Sequence, residues 1–373
     1  MSETTISSVG EILDDIRHGQ MVVVLDEREG HSNEGVVMVA AEHCTSQHIT
    51  FMARRARGLV CLAVTQERCA QLNLPPMVDG GNSDAARFTL SIEAAQGIDT
   101  GISAADRAHT VLVAVAPQAK PADIVQPGHI FPLAAEPGGV LTRAGHTETA
   151  VDYMRIAGLT PAAVIADILS DAGELADGPG LRAFAKEHDL KVGTVADLIH
   201  YRIANERTIE RIRQGELQTA FGTFRLDAYR DRTRGRTHIA LSLGEIDSAR
   251  PTLVRVHTSS TLRDAVGSEL PGSPGWSTQR CLETIAAAGV GVFVLLIRDE
   301  TDEQLLQSID LALGTLEPRE PQEGDSYNTV GLGSQILRDL GVGKIRLMGA
   351  PIKYNAISGF GLEVIDYLEP ETD

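Results

Sequence analysis

The first of three polar segments between residues 100 and 150 could bind an anion. Thr100–Arg107 combines the flexible Gly101 with the hydroxyl of Ser103, the carboxylate of Asp106 and the guanidinium of Arg107. Such a loop can hold a phosphate through its backbone N–H groups and the arginine. Ser103 and Asp106 could instead form a helix cap with a surface ion pair, because both residue types are common at helix N-termini. The segment alone leaves both interpretations open.

The second segment surrounds a single histidine. In Gln126–Leu133, two prolines and a glycine restrict the backbone on both sides of His129. A rigidly held imidazole suits general acid–base catalysis, since it titrates near neutral pH. A purely structural hydrogen bond is the alternative for a lone histidine.

The third segment carries the densest chemistry. Gly138–Glu148 places Arg143, His146, Thr147 and Glu148 beside glycines that allow a ligand to approach. The arginine and the threonine suit a phosphate or a diol, whereas the histidine suits a divalent metal or a proton transfer. Three such segments so close in sequence favour one functional site over three unrelated structural roles.

Periodicity predicts that alternating helices and strands position these segments. A capping box at Ser8 and Glu11 opens an amphipathic helix that Gly19 ends. A second helix is expected after Thr160-Pro161, with one apolar face and a stop at Gly173. Further helices are expected at 195–203 and 278–288, and strands at 21–25, 36–41, 88–92 and 290–297. The mixture indicates α/β or α+β layers.

Composition limits the classes of partner. The chain has 373 residues, a length typical of two domains, and its 33 basic and 51 acidic side chains give a net charge of −18. We therefore expect no nucleic acid and no membrane as partner, because both anionic surfaces need a basic face. No apolar run is long enough to span a membrane, and the N-terminus MSETTISSVGEILDD does not match a secretory signal. A cytoplasmic protein is predicted.

The four cysteines form no C-x-x-C pair, so buried free thiols are expected.

The N-terminal half resembles the 3,4-dihydroxy-2-butanone 4-phosphate synthase family. The matching stretches are TGISAADRAHT, QPGHIFPL, GGVLTRAGHTE, Phe51–Arg54, Gly58–Leu62 and Leu74–Met77. The resemblance covers about residues 6 to 204. It implies an α+β fold and a homodimer with active sites at the subunit interface. It also implies the riboflavin-pathway conversion of ribulose 5-phosphate to dihydroxybutanone phosphate and formate, with magnesium.

The second half, about residues 218 to 369, resembles GTP cyclohydrolase II. The similarity lies in Leu253–His257 and in Ser334–Val342. The predicted fold class is therefore α/β, built from α+β layers. A dihydroxybutanone phosphate synthase-like domain at 1–206 and a linker at 207–217 would precede a cyclohydrolase II-like domain at 218–373.

The second half departs from its family at the metal site. That family holds a catalytic zinc with three cysteines, but the first expected cysteine is Ser260 and only Cys281 is present in this half. A hydrolytic zinc site needs three firm protein ligands. The family's EGRGIGL segment is also missing after Arg298, and Ala350–Lys353 stands where TNNP and a lysine would be. We predict no zinc and no GTP cyclohydrolase activity.

The acidic loop of the synthase half departs from its family as well. The family pattern D-D-E-x-R-E-N-E-G-D supplies a metal-binding Glu, a substrate-binding Arg and a substrate-binding Asp. Aligned on Asn33-Glu34-Gly35, the Arg becomes His31, the metal-binding Glu becomes Ser32 and the Asp becomes Val36. Aligned on the preceding strand, Arg28-Glu29 could replace the lost pair from a shifted position. The second metal ligand is thus Glu29 or Glu34, and the register of the loop stays open.

The resemblance and the residues together give a set of expected roles. A later catalytic Glu of the family appears as Asp167, whose carboxylate lies about 1–1.5 Å further back and can cost about 100-fold in rate. Asp167 and His129 are the predicted acid–base pair, and His146 with Glu29 or Glu34 would hold Mg²⁺ or Mn²⁺, more weakly than in the family. The predicted substrate-binding residues are Ser103, Asp106, Arg107, Arg143, Thr147 and Glu148.

Three functions are compatible with these residues. The first is the family lyase reaction on ribulose 5-phosphate, with an inactive cyclohydrolase-like domain. The second is a different reaction on another small phosphorylated or polyhydroxy substrate, of the kind found in secondary metabolism. The third is a dimeric, non-catalytic regulatory partner of riboflavin enzymes. Formate release separates the first from the other two.

Overall fold

The computed structural model describes residues 6–26, 34–78, 87–233, 235–268, 275–316, 323–349 and 361–369. The chain divides into two compact units, Met1–Arg202 and Ile203–Asp373. Both units are mixed α/β, as the sequence predicted. Among the described residues, no helix combines the length and the apolar character needed to cross a bilayer.

The first unit is a mixed sheet with helices on both faces. Its strands are β1 Val22–Asp26, β2 Glu34–Ala40, β3 Cys61–Thr65, β4 Ile92–Ala94, β5 Ile124–Ala135, β6 Ala162–Asp167 and β7 Val192–Thr194. Its helices are α1 Val9–Arg17, α2 Ser46–Phe51, α3 Gln66–Gln71, α4 Ala104–Val115, α5 His146–Ala157, α6 Gly178–Glu187 and α7 Val195–Asn205, of which α7 continues into the second unit. The strand order is β4-β5-β3-β6-β2-β1-β7.

The core of this unit lies on both faces of the sheet. Alternate side chains such as Val23 and Val37 pack with the helix residues Ile49, Val111 and Leu181. Helices α1 and α5 contact the sheet as well as each other. Because helices cover both faces, the central strands read as continuous apolar runs rather than as alternating patterns.

The predicted N-terminal helix and its cap are confirmed. Ser8 accepts the N–H of Glu11, and the Glu11 carboxylate accepts the N–H of Ser8. Val9, Ile12, Leu13 and Ile16 are buried, as the helical spacing required.

The helix predicted after Thr160-Pro161 is wrong, because this segment forms the strand β6. Residues 162–166 are all buried, and β6 pairs with β2 on one side and β3 on the other. A short apolar run fits one face of a helix or the middle of a sheet equally well. Burial on both faces, which depends on distant strands, selects the strand.

The second unit is a second seven-stranded sheet within the described residues, in the order β14-β13-β11-β12-β10-β9-β8. Its strands are β8 Ile209–Thr219, β9 Gly222–Asp231, β10 Thr237–Leu243, β11 Pro251–Thr258, β12 Gly291–Leu296, β13 Lys344–Met348 and β14 Glu363–Leu368. Its helices are α8 Thr278–Ala288, α9 Asp302–Ala312 and α10 Glu323–Asp339. The predicted helix at 278–288 is confirmed, and Gly289 ends it in the left-handed conformation.

The linker predicted at 207–217 is corrected by the structure. Most of this segment belongs to β8, an edge strand that forms a long antiparallel pair with β9. Its polar composition suggested a linker, but residues 213–218 are exposed because the strand lies at the edge of the sheet.

Candidate functional site

The register of the first sheet brings the two predicted acid–base residues to one edge. Cys61 of β3 pairs with Phe131 of β5 in parallel and with Ile165 of β6 in antiparallel orientation. His129 precedes Phe131 by two residues in β5, and Asp167 follows Ile165 by two residues in β6. Both residues therefore lie towards the end of the sheet at which β3 begins. The register of β5 against β4 is irregular between Val125 and Ile130, so His129 belongs to a bulge rather than to the regular ladder.

Asp167 lies at the end of β6 in an acidic environment. Burial raises the pKa of the Asp167 carboxyl, the nearby His146 lowers it, and Glu34 raises it again. The net shift is upward. The structure thus brings together three of the predicted residues, and it makes Asp167 a better proton acceptor than an ordinary aspartate.

Gly58 explains why the segment Gly58–Leu62 belongs to this site. Its N–H donates to the backbone oxygen of Asp167 at 3.1 Å. A Cβ at position 58 would lie only 2.3 Å from that oxygen, so only glycine permits this contact. The backbone under the catalytic candidate is therefore fixed from the neighbouring chain segment.

His129 is held by an acid that the sequence reasoning missed. Its Nδ1 contacts Oε1 of Glu93 on β4. The imidazole is 43% exposed, whereas the Glu93 side chain is only 16% exposed. The carboxylate can hold the ring in one orientation, which an acid–base histidine needs.

Two glycines show how closely the chain packs around Glu93. A Cβ on Gly101, which has φ +79°, would lie 1.8 Å from the Glu93 carboxylate. A Cβ on Gly128 would lie 2.3 Å from Glu93 Cγ. The first two polar segments of the sequence therefore meet at this residue. No distinct signal for this role was present in the sequence, because an acid that alternates with Ile92 and Ala94 is also typical of a half-exposed strand.

Arg143 is fixed by Glu148 at the start of α5. Nε of Arg143 donates to Oε2 of Glu148 at 3.0 Å, and the N–H of Glu136 donates to Oε1 at 2.8 Å. Glu148 is fully buried. We predicted that it binds substrate, but both of its oxygens lie in the protein interior. Its position instead supports the arginine, which is 16% exposed.

The first turn of α5 offers further contacts for an anion. His146 is its first helical residue, and Gly145 provides no side-chain cap for the helix. Thr147 is buried, at 5% exposure. Backbone N–H groups at a helix N-terminus attract anions. Together with Arg143, this turn suits a phosphate or a pair of hydroxyls.

Ser103 and Asp106 take the capping alternative. The N–H of Asp106 donates to Oγ of Ser103 at 3.0 Å, and the N–H of Gly101 donates to Oδ2 of Asp106 at 3.0 Å. Arg107 differs, because its Nε is buried without a hydrogen-bond partner among the described residues. Burial lowers the pKa of its guanidinium. Arg107 is thus the residue of this segment that most needs an anionic partner.

Some predicted residues lie outside the part of the chain that the structure describes. They are Arg28, Glu29, His31, Ser32 and the segment Ala350–Lys353. Of the two alternatives for the second metal ligand, only Glu34 can therefore be placed, at the start of β2.

The second unit places a hydrogen-bonded cluster where the family's zinc was expected. Nε2 of His257 contacts Oδ1 of Asp264 at 2.7 Å, and Oγ1 of Thr278 donates to the same oxygen at 3.1 Å. The N–H of Ser260 donates to Oδ2 of Asp264 at 2.8 Å. Cys281 is buried, and burial raises the pKa of its thiol to about 11. Within the described ranges, no three His, Cys, Asp or Glu side chains group as metal ligands would.

The fold is that of a two-domain α/β protein, and its first unit carries the candidate site described above. Residues 10–201 match the family model of 3,4-dihydroxy-2-butanone 4-phosphate synthase, and residues 210–369 match that of GTP cyclohydrolase II. The chain belongs to the 3,4-dihydroxy-2-butanone 4-phosphate synthase family, in its two-domain form.

Individual relatives match this chain over its whole length or over its first unit. A 3,4-dihydroxy-2-butanone 4-phosphate synthase of Pseudomonas aeruginosa is 49% identical over 98% of this chain and 100% of its own. The crystal structure of the two-domain synthase RibBX from A. baumannii has a TM-score of 0.81 at 44% identity, covering 98% of this chain and 100% of that one. A synthase solved with two magnesium ions covers 54% of this chain and 98% of its own, at 36% identity and a TM-score of 0.52.

Proposed function

We propose that this chain is a lyase of riboflavin biosynthesis that converts D-ribulose 5-phosphate to 3,4-dihydroxy-2-butanone 4-phosphate and formate. The observation that carries the proposal is the group formed by Asp167, Glu34 and His146 at the end of β6. Arg143 lies three residues before His146, in the loop that leads into α5. The full-length likeness to synthases of that name supports it.

Each residue contributes a definite part of the chemistry. The two products together contain all atoms of the substrate, so the reaction needs proton transfers and carbon-bond rearrangement but no redox cofactor. Asp167, with its raised pKa, takes a proton from a carbon next to the substrate carbonyl. His129, oriented by Glu93, serves as the second acid–base group. Arg143, supported by Glu148, binds the phosphate or hydroxyls of the substrate.

Two residues near Asp167 carry donor types that magnesium accepts, which supports a magnesium cofactor. Glu34 supplies a carboxylate and His146 an imidazole, and both interact with Asp167. Mg²⁺ is usually held by one or two protein carboxylates, with water and substrate oxygens completing its shell. We propose that Glu34 and His146 hold it. A bound cation would polarise the substrate carbonyl and so acidify the neighbouring C–H.

Formate release tests this function directly. Purified protein with ribulose 5-phosphate and Mg²⁺ should release formate at an enzyme-like rate. EDTA should abolish the release, and added Mg²⁺ should restore it. Ribose 5-phosphate, which carries its carbonyl on another carbon, is the matched control substrate. Binding of the pentulose phosphate without formate would overturn the proposal and favour the second or third function considered above.

We propose further that the second unit has no GTP cyclohydrolase activity and holds no zinc. The carboxylate of Asp264 accepts three hydrogen bonds from neighbouring residues, so its oxygens are already engaged and are poor metal ligands. Elemental analysis should find zinc far below one atom per chain, and GTP should remain unchanged on incubation. Stoichiometric zinc would contradict this proposal.

A homodimer and a cytoplasmic location belong to the same proposal. The likeness to the family supports the dimer. Sedimentation equilibrium at micromolar concentration should give twice the mass of the chain, and a monomer would contradict it.

A further inference from the structure

A buried ion pair lies beneath the loop that leads to Arg143. Asp152 on α5 and Arg202 on α7 approach to 2.6 Å, with side chains only 4% and 2% exposed. Neither residue was singled out by the sequence. A buried pair is weak evidence for stability, because removing two charges from water can cost more than their attraction returns. Its place in the fold therefore needs another explanation.

Both members of the pair bind the backbone of this loop. Nη1 of Arg202 donates to the carbonyl oxygen of Gly138 at 2.7 Å. The N–H of Val140 donates to Oδ2 of Asp152 at 2.8 Å. Burial raises the pKa of Asp152, whereas Arg202 and the Val140 N–H oppose that shift. The pair and the loop thus stabilise one another.

Gly139 shows how tightly the loop lies against the carboxylate. It adopts φ +63°, and a Cβ at this position would lie 2.1 Å from Oδ2 of Asp152. The carbonyl oxygen of Gly139 accepts the N–H groups of Thr142 at 2.9 Å and Arg143 at 3.1 Å. A continuous set of contacts therefore runs from Asp152 through the loop to the backbone of Arg143.

We propose that Asp152 and Arg202 are positioning residues that fix the Gly138–Arg143 loop and so aim the guanidinium of Arg143 at the substrate. Glu148, one helical turn before Asp152, holds the side chain of Arg143, while the ion pair holds its backbone. This inference rests on the proposed function, in which Arg143 binds the substrate. Small displacements of such a binding group can cost about 100-fold.

The primary test is the variant Asp152→Asn, assayed by formate release. We expect KM for ribulose 5-phosphate to rise about 10- to 100-fold while kcat changes much less, because the loss concerns binding. Gly139→Ala should change KM in the same direction from the other side of the contact. Arg155→Gln is the matched control, since Arg155 donates to Oδ1 of the same carboxylate at 3.2 Å from a half-exposed position. It should leave KM unchanged.

A double-mutant cycle separates positioning from general loss of structure. In an Arg143→Ala background, Asp152→Asn should raise KM no further, because the group that it positions is absent. If Asp152→Asn does not fold, Asp152→Asn with Arg202→Gln removes both buried charges together and takes its place in the cycle. A folded variant with unchanged KM, or additive effects in the cycle, would overturn the inference.

Hydrogen exchange gives a readout that does not depend on activity. The amide of Val140 should be protected in the native chain and should exchange at least about tenfold faster in Asp152→Asn, because it loses a charged acceptor. If the native chain releases no formate but the Val140 amide still exchanges faster in Asp152→Asn, the proposed function is rejected and the anchored loop is kept. If the native chain releases formate and the exchange of this amide is the same in both proteins, only the anchoring is rejected.

Discussion

Both units place a histidine and an aspartate together at a strand end, but with opposite consequences for the acid. In the first unit, partial desolvation at the end of β6 raises the pKa of Asp167, His146 opposes this shift and Glu34 adds to it. In the second unit, burial opposes ionisation of Asp264, but hydrogen bonds from Ser260 and His257 lower its pKa overall. The first acid therefore binds a proton more readily than an ordinary aspartate, and the second binds one less readily.

The difference shows what separates a chemical site from a structural one. A carboxylate that receives several hydrogen bonds from its own fold gains stability and loses reactivity. A carboxylate that is partly desolvated next to another acid gives up stability and gains proton affinity. The comparison assigns catalysis to the first unit, and substitutions in each unit can test it.

The largest expected effect is that of Asp167→Asn. Removal of the proposed base should lower kcat for formate release about 10²- to 10⁴-fold. Asp171→Asn is the matched control, because Asp171 is 95% exposed and pairs with Arg57. It should change kcat little. Equal rates for native chain and Asp167→Asn would remove the basis of the comparison.

A smaller loss of activity is expected for Glu93→Gln. Without its acid partner, His129 loses orientation, and kcat should fall by up to about 100-fold. His109→Gln is the control, since Nε2 of His109 contacts the backbone oxygen of Gln96 at 3.1 Å and His109 lies outside the proposed site. If Glu93→Gln keeps full activity, His129 does not depend on this contact.

The second unit should respond to pH through stability rather than activity. Burial and Arg263 lower the pKa of His257 to about 4, although Asp264 opposes this shift. The unfolded chain binds a proton at this histidine below about pH 6.5, and the folded chain does not until about pH 4. The free energy of unfolding should therefore fall as pH decreases through this window, by at most about 3 kcal/mol.

The single tryptophan makes this measurable in the intact protein. Trp276 is the one tryptophan of the chain and is buried in the core of the second unit. Its fluorescence during urea unfolding should report a pH-dependent free energy that His257→Gln makes flatter. Formate release should be unchanged in that variant. Loss of formate release in His257→Gln would show that the two units do not differ as proposed.

The smallest effect is expected for Thr278→Val. This change removes one of the three donors to Asp264 and should lower the free energy of unfolding of the second unit by about 1 kcal/mol. Thr284→Val, in the same helix, removes a hydroxyl that donates to the carbonyl of Arg280 and should cost less. If the two variants lose equal stability, the Asp264 cluster has no special structural role.

Local signals in the sequence predicted the fold well where they were strong. The capping box at Ser8 and the helix 278–288 with its glycine stop follow from interactions within a few residues. Strand β6 and the edge strand β8 were missed because their identity depends on neighbours far along the chain. Composition alone could not show whether an apolar run is buried on two faces, or a polar run exposed.

The candidate site shows the same division between features set by local sequence and features set by distant neighbours. The sequence indicated His129, Arg143, His146 and Asp167, because their types and motifs fit proton transfer and anion binding. The sequence predicted a substrate contact for Glu148, although this residue is fully buried and contacts Arg143 instead. It did not single out Glu93, whose partner His129 lies 36 residues away.

The sequence by itself determined which chemical groups the chain carries, the family it resembles and the loss of the zinc-binding cysteines in its second half. The tertiary structure decided which of those groups face one another. Strand register brings His129 and Asp167 to one edge, and burial separates reactive acids from supporting ones. The reason is physical: side-chain types are local properties, whereas pKa values, hydrogen-bond partners and exposure arise only when distant segments pack together.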